Sequence, residues 1–250
     1  MAEEKNCKAP WELLQENTYP GRGILIGKTA NGRCAVSGYF IMGRSANSRN
    51  RVFAVRGGEV FTQAARPELV EDPSLIIYAA VRSYENCLVV TNGDQTDTIV
   101  QTLQAGGSFA QALTQRCFEP DAPHFTPRIS GILHLQQDDF YYEMSILKSA
   151  DASGSACDRF LFSYPALCGR GHLLHTYQAD GDPLPSFTGE PRCVRIDDDI
   201  DAFTAHLWQG LHGANRISLY VRYTDLQTKK YTDRVINQYE GAYEKCRNTH

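Results

Sequence analysis

The chain has 250 residues, 42% of them hydrophobic and 22% charged, and a formal net charge of -4. That length can bury one substantial core, while the slight acidity argues against nucleic acid as a partner. No apolar run approaches the roughly 20 residues that span a bilayer. The first residues also lack the apolar centre of a signal peptide, so a cytoplasmic location with no membrane partner is expected.

In chain order, residues 1–17 read as an N-terminal extension. Between Glu16 and Glu59 there is no carboxylate, yet seven cations occur: Arg22, Lys28, Arg33, Arg44, Arg49, Arg51 and Arg56. Cations among small polar residues suit an anion site, although a solvated basic face has the same composition. Short β-branched or aromatic runs separated by turn residues then dominate. Residues 23–28 and 33–41 flank Asn31-Gly32, which predicts a hairpin with a type I′ turn. Further strands are predicted over 51–55, 75–82, 87–91, 129–135, 141–147, 159–163, 172–177, 193–196 and 217–223.

Helices are predicted over 96–104, opened by Thr96-Asp97 and stopped by Gly106-Gly107, and from Ser108 through Arg116. A third, over 200–211, is amphipathic, with Asp197 to Asp199 at its positive end. From about Tyr231 a peripheral helix is expected, and Tyr223-Thr224-Asp225 is echoed by Tyr231-Thr232-Asp233. The chain therefore divides into an extension (1–17), a single domain (18–225) and a helical tail (226–250). Many strands with a central block of helices give an α+β protein, its helices packed on mostly antiparallel sheets.

The eight cysteines are scattered without a Cys-x-x-Cys, so buried reduced thiols are expected rather than disulfides or metal ligands. His172 and His175, on opposite faces of a strand, do not suggest a metal site.

Four segments place polar residues at the ends of apolar runs. Tyr19-Pro20-Gly21-Arg22-Gly23 would let backbone approach a ligand beside a guanidinium. Gly43 to Arg51 offers arginines, hydroxyls and amides to an anion, without the Gly-Lys-Ser/Thr of a phosphate-binding loop. Thr91 to Thr98 forms a strand-to-helix turn whose backbone donors could bind or simply be capped. Phe118-Glu119-Pro120-Asp121 and His124-Phe125-Thr126-Pro127-Arg128 supply a candidate general base, Glu119, and an arginine opening a strand.

Taken together, Gly21-Arg22, Tyr39 with Arg44-Ser45 and Arg49, Tyr78 in Ile-Tyr-Ala-Ala-Val-Arg, Thr91-Asn92-Gly93 with Thr96-Asp97-Thr98, Glu119 and Thr126-Pro127-Arg128 resemble the archaeal-type IMP cyclohydrolase family. The resemblance covers roughly residues 18 to 150. It implies an Ntn-hydrolase-like four-layer α-β-β-α sandwich of two mostly antiparallel sheets. The implied reaction closes 5-formamidoimidazole-4-carboxamide ribotide (FAICAR) to IMP, in purine biosynthesis, with no cofactor and no metal. It also implies Arg49, Tyr78 and Glu119 as the reacting set. Arg22, Tyr39, Arg44, Ser45, Asn92, Gly93, Thr96, Asp97, Thr126 and Arg128 would bind substrate, and Lys28, Arg33, Arg51 and Arg56 would be ordinary surface. The expected partners are that small nucleotide and further copies of the chain as a homo-oligomer. Two other readings stand beside it: a non-catalytic purine-ribotide-binding protein, and an Ntn-type amide hydrolase using Cys34.

Overall fold

The structure, a computed structural model, describes residues 7–70 and 77–239. Its strands are β1 (Arg22–Lys28), β2 (Cys34–Met42), β3 (Val52–Arg56), β4 (Glu59–Gln63), β5 (Ala79–Tyr84), β6 (Cys87–Thr91) and β7 (Arg128–Leu135). They continue with β8 (Phe140–Ser149), β9 (Cys157–Pro165), β10 (Arg170–His175), β11 (Arg192–Arg195), β12 (Arg216–Asp225) and β13 (Tyr231–Asn237). The α-helices are α1 (Pro10–Gln15), α2 (Ala46–Arg49), α3 (Gln95–Gln104), α4 (Phe109–Thr114) and α5 (Ile200–Gly210).

Two antiparallel sheets face each other, one ordered β11-β10-β1-β2-β12-β13 and the other β3-β4-β5-β6-β7-β8-β9. Strand alternation decides which side chains meet where. Ile24, Ile26, Tyr39 and Ile41 point between the sheets, against Val81, Val90, Ile129 and Met144. Leu25, Val36 and Phe40, their neighbours in sequence, face outward onto Leu14, Phe203 and Leu207 of α1 and α5. On the far side Val89, Ile132 and Leu147 meet Ile99, Phe109 and Leu113 of α3 and α4. The result is four layers, helix-sheet-sheet-helix, which explains why β1 reads as a continuous apolar run: every residue in it is buried.

Several expectations are corrected. The β1–β2 hairpin forms, but not through a type I′ turn. Gly32 alone in that loop has a left-handed φ (72°), and Thr29 and Asn31 close the loop by side-chain bonds to the Cys34 and Arg33 N–H groups. The stretch from Tyr231 is a strand, not a helix. The Tyr-Thr-Asp echo is the two arms of a hairpin, with Thr224 opposite Tyr231 and Arg222 opposite Asp233. The first part of the strand expected at 75–82 lies outside the described residues, and β5 occupies 79–84. Cys7 and Cys193 form a disulfide where the chain at Lys8 pairs with Val194. Among the described residues the free cysteines are half-buried or exposed rather than buried, since they sit at strand ends and in loops, and Cys246 lies outside the described residues. No described helix is long and apolar enough to cross a membrane.

Candidate functional site

Antiparallel pairing brings the start of β1, the end of β2, the start of β7 and the end of β10 to one end of the sandwich. There the loops carrying Tyr19, Arg51, Glu119, His124 and Tyr177 enclose a polar cavity of about 270 Å³.

Arg22, the first residue of β1, forms one wall. Its two terminal nitrogens donate to the two oxygens of Glu119 at 2.8 and 3.0 Å, and the first also donates to the Asn92 carbonyl at 3.0 Å. Burial alone would lower the Arg22 pKa. The Glu119 carboxylate outweighs it and, with Tyr78 and Tyr39, raises the value well above the usual arginine range. A fork-to-fork pair of this kind fixes the geometry of both groups. Glu119 is placed by its own N–H, which donates to the Thr126 carbonyl at 2.9 Å, so residues 120–125 bulge out and leave 119 and 126 side by side.

Behind Arg22, between the sheets, the Tyr39 and Tyr78 hydroxyls meet at 2.7 Å. Burial drives the Tyr39 pKa far up, so its phenol stays neutral. Neither tyrosine lines the cavity, but both lie within electrostatic range of Arg22.

The floor is a second hydrogen-bonded group. Thr126 donates its N–H to Asp121 at 2.7 Å, its hydroxyl contacts the other Asp121 oxygen, and the same hydroxyl lies 2.6 Å from the Tyr177 phenol. Burial pushes the Tyr177 phenol up to about 12. Tyr177 stacks on Tyr19, and the Arg44 guanidinium lies 4.8 Å from the Tyr19 ring centre. Arg44 is also held by Asp180 at 2.5 Å. His124 accepts the Leu184 N–H on Nδ1 at 3.3 Å, which leaves the Nε2 of a neutral ring to carry its proton.

The opposite wall is Arg51, immediately before β3. It is 8% exposed, and its Nε and one terminal nitrogen have no hydrogen-bond partner. The amide oxygen of Asn47, on the same cavity, is also buried without a partner. Buried polar groups are nearly always satisfied, and a buried cation left alone is costlier still. Two such groups on one cavity could accept a ligand oxygen and a ligand N–H or O–H.

The sequence-predicted residues therefore separate. Arg22, Arg44, Ser45, Glu119 and Thr126 line the cavity. Ser45 does so as the cap of α2, accepting the Ser48 N–H at 3.1 Å. Arg49 faces away: its Nε donates to the Gly43 carbonyl at 3.2 Å and it lines a separate surface hollow with Leu69 and Tyr239. The Asn92 turn is internal scaffolding. The Asn92 side chain donates to the Pro127 carbonyl and accepts from the Ile129 N–H, pinning the Thr126 loop from behind. Thr96 bonds Thr91 at 2.6 Å. A Cβ at Gly93 would press on the Arg128 guanidinium and lie 2.6 Å from Gln95 Oε1, so both side-chain ends would have to give way. Arg128 points into this turn, to Gln95 and Asp94. Asp97 lies on the surface, paired with Arg82 at 2.8 Å.

Of the cations expected to be surface, Arg33 and Arg56 are exposed. Lys28 is buried and paired with Asp139 at 2.9 Å, and Arg51 is the buried wall of the cavity. It stands one residue before β3, whose first two residues are buried and whose last two are exposed. Cys34 stands at the far end of β2, beside Asp225 and outside the cavity.

A profile of the family described as IMP cyclohydrolase-like protein matches residues 19–230, beyond the stretch that the motifs alone cover. Among curated relatives, the IMP cyclohydrolase of Methanopyrus kandleri is 34% identical over 117 residues, 46% of this chain and 58% of that protein. The IMP cyclohydrolases of Methanocella arvoryzae and Methanothrix thermoacetophila are 35% and 31% identical, each over 46% of this chain and 57% of the relative. The alignments thus span somewhat more than half the length of those relatives.

Proposed function

Because the chain belongs to the IMP cyclohydrolase-like protein family, we propose that it closes FAICAR to IMP with loss of water. In that reaction the carboxamide nitrogen attacks the formyl carbon, and the resulting carbinolamine expels its hydroxyl as water. The observation that carries the reading is the contrast inside the cavity: a locked Arg22–Glu119 pair on one side and an unpartnered, buried Arg51 on the other.

Arg51, with Arg44 and the α2 turn, takes the ribotide phosphate, which supplies the oxygens that Arg51 lacks. Arg22 stabilises the oxyanion that develops on the formyl oxygen. Glu119, through a lone pair that the arginine leaves free, orients the carboxamide, takes the proton its attacking nitrogen loses and passes it to the formyl oxygen, which becomes the carbinolamine hydroxyl. That hydroxyl, held by a hydrogen bond from the His124 Nε2–H, leaves as water with the proton that the formamide nitrogen gives up, carried across by Glu119. Tyr78 acts from behind Arg22, through its hydroxyl bond to Tyr39. Arg51 here takes the place that the sequence motifs give to Arg49. A homo-oligomer and a cytoplasmic setting belong to the same proposal. Phe160 and Leu161, each more than 40% exposed on the edge strand β9, support self-association.

The test is to incubate the full chain with FAICAR and measure IMP by chromatography. Steady IMP formation above the uncatalysed rate is expected. No turnover, with FAICAR still raising the melting temperature, would replace the enzyme by a purine-ribotide-binding protein.

A further inference from the structure

At the opposite end of β6 from Asn92, three side chains on neighbouring strands form a line that the cyclisation site does not use. Cys87 opens β6, His134 lies directly across from it on β7, and Glu143 is on β8. The Cys87 sulfur is 3.5 Å from His134 Nδ1, and His134 Nε2 is 3.0 Å from Glu143 Oε2. The Tyr141 ring stacks on the imidazole at 4.4 Å with a 10° interplanar angle and fixes its plane. The histidine and glutamate side chains are 16% and 20% exposed, and Cys87 lines an open cavity of about 660 Å³.

We propose that Cys87, His134 and Glu143 form a reactive-thiolate site that takes small, uncharged disulfides and is modified by them to a mixed disulfide. The geometry fixes the proton's path. Glu143 accepts the Nε2 proton, so Nδ1 of the neutral ring is the acceptor facing the sulfur. Moving the thiol proton onto it gives a thiolate and an imidazolium whose two N–H groups both have acceptors. The thiolate then attacks one sulfur of the incoming disulfide. The S–S bond breaks, a Cys87–S–S–R bond forms, and the leaving thiolate takes the proton from His134, so that charge and atoms balance.

The electrostatics agree. Burial would lower the His134 pKa, but its bonds to Cys87 and Glu143 outweigh that and raise it to about 9. The other titratable groups near the sulfur are Tyr84 on β5, Tyr141 on β8 and Glu85 in the β5–β6 turn. Burial raises both phenols, so they stay neutral at working pH. Across the cavity Arg222 and Lys229 supply positive charge. Other free cysteines have different surroundings. Burial raises the Cys34 thiol, and burial with the neighbouring Cys117 raises Cys157 to about 11.

The experiment follows alkylation of each cysteine in the full chain by limiting iodoacetamide, read by peptide mass spectrometry, with N-acetylcysteine amide in the same tube. Between pH 8 and pH 6 a thiol of pKa about 8.5 loses roughly 80-fold in rate. Cys87 is expected to lose less than about threefold, and to form the mixed disulfide with 2-hydroxyethyl disulfide at pH 6. His134→Gln should return Cys87 to the steep profile of the reference, and Glu143→Gln should fall between. A wild-type Cys87 whose rate tracks the reference overturns the proposal, as does a folded His134→Gln protein with an unchanged profile. If His134→Gln fails to fold, the wild-type profile and Glu143→Gln decide. FAICAR turnover is not part of the readout, so this result and the cyclase result stand apart.

Discussion

Arg22 and Arg51 enter one cavity from different sheets, and both are about 8% exposed, yet the protein treats them oppositely. Arg22 gives three of its five N–H donors to Glu119 and the Asn92 carbonyl; Arg51 meets no acceptor at Nε or at one terminal nitrogen. The paired arginine belongs to the fold, because removing either partner strands a buried charge. The unpaired one is a cost the fold carries for something that binds. Stability and ligand affinity should therefore separate cleanly between the two walls.

The largest effect expected is on the paired wall. Arg22→Ala leaves Glu119 charged and buried and should lower the unfolding free energy by about 3–5 kcal/mol, read from urea midpoints at constant m-value. A loss below about 1 kcal/mol would mean that the pair is not structural.

Next comes a buried histidine on the strand beside β1. His175, opposite Gly23 on β10, is lowered to about 4, mainly by burial. The unfolded chain binds its proton near pH 6.5 and the folded chain only near 4, so stability falls as pH drops through that window and the loss is complete below it. Up to about 3 kcal/mol is involved. The urea midpoint should decline between pH 6.5 and 4, and His175→Gln should flatten that decline.

Smaller effects lie in the scaffolding. Gly93→Ala drives a methyl group into Arg128 and Gln95 and should cost about 1–3 kcal/mol by overpacking. Tyr177→Phe removes one partner of the Thr126 hydroxyl and should cost about 1 kcal/mol. Both are measured by the same urea series.

How much of this could be read in advance follows from where the determinants lie. Alternation and turn residues are local, so β1, β2, β6, β7 and the three longer helical stretches were legible as runs. β13 was not: Tyr231-Thr232-Asp233-Arg234 is a polar edge, and only its pairing with β12 and the packing of Val235 and Ile236 make it a strand. The Cys7–Cys193 bond depends on a contact across 186 residues, which no local spacing encodes. In the site, the motif order led to Arg22, Glu119 and Thr126. It could not separate Arg49 from Arg51, because the short α2 turn decides which guanidinium faces inward. Asn92, Gly93 and Arg128 sit behind the Thr126 loop, bonded to Pro127, Ile129 and Gln95, contacts that the motif order does not encode.

The most direct test of the two-wall account is calorimetric titration of IMP into the wild type and Arg51→Met, with urea unfolding of both. The account predicts a variant at least as stable as the wild type, because no ion pair is lost, and binding weaker by at least about tenfold, the worth of a charged hydrogen bond. Unchanged IMP affinity in a folded Arg51→Met protein would contradict it.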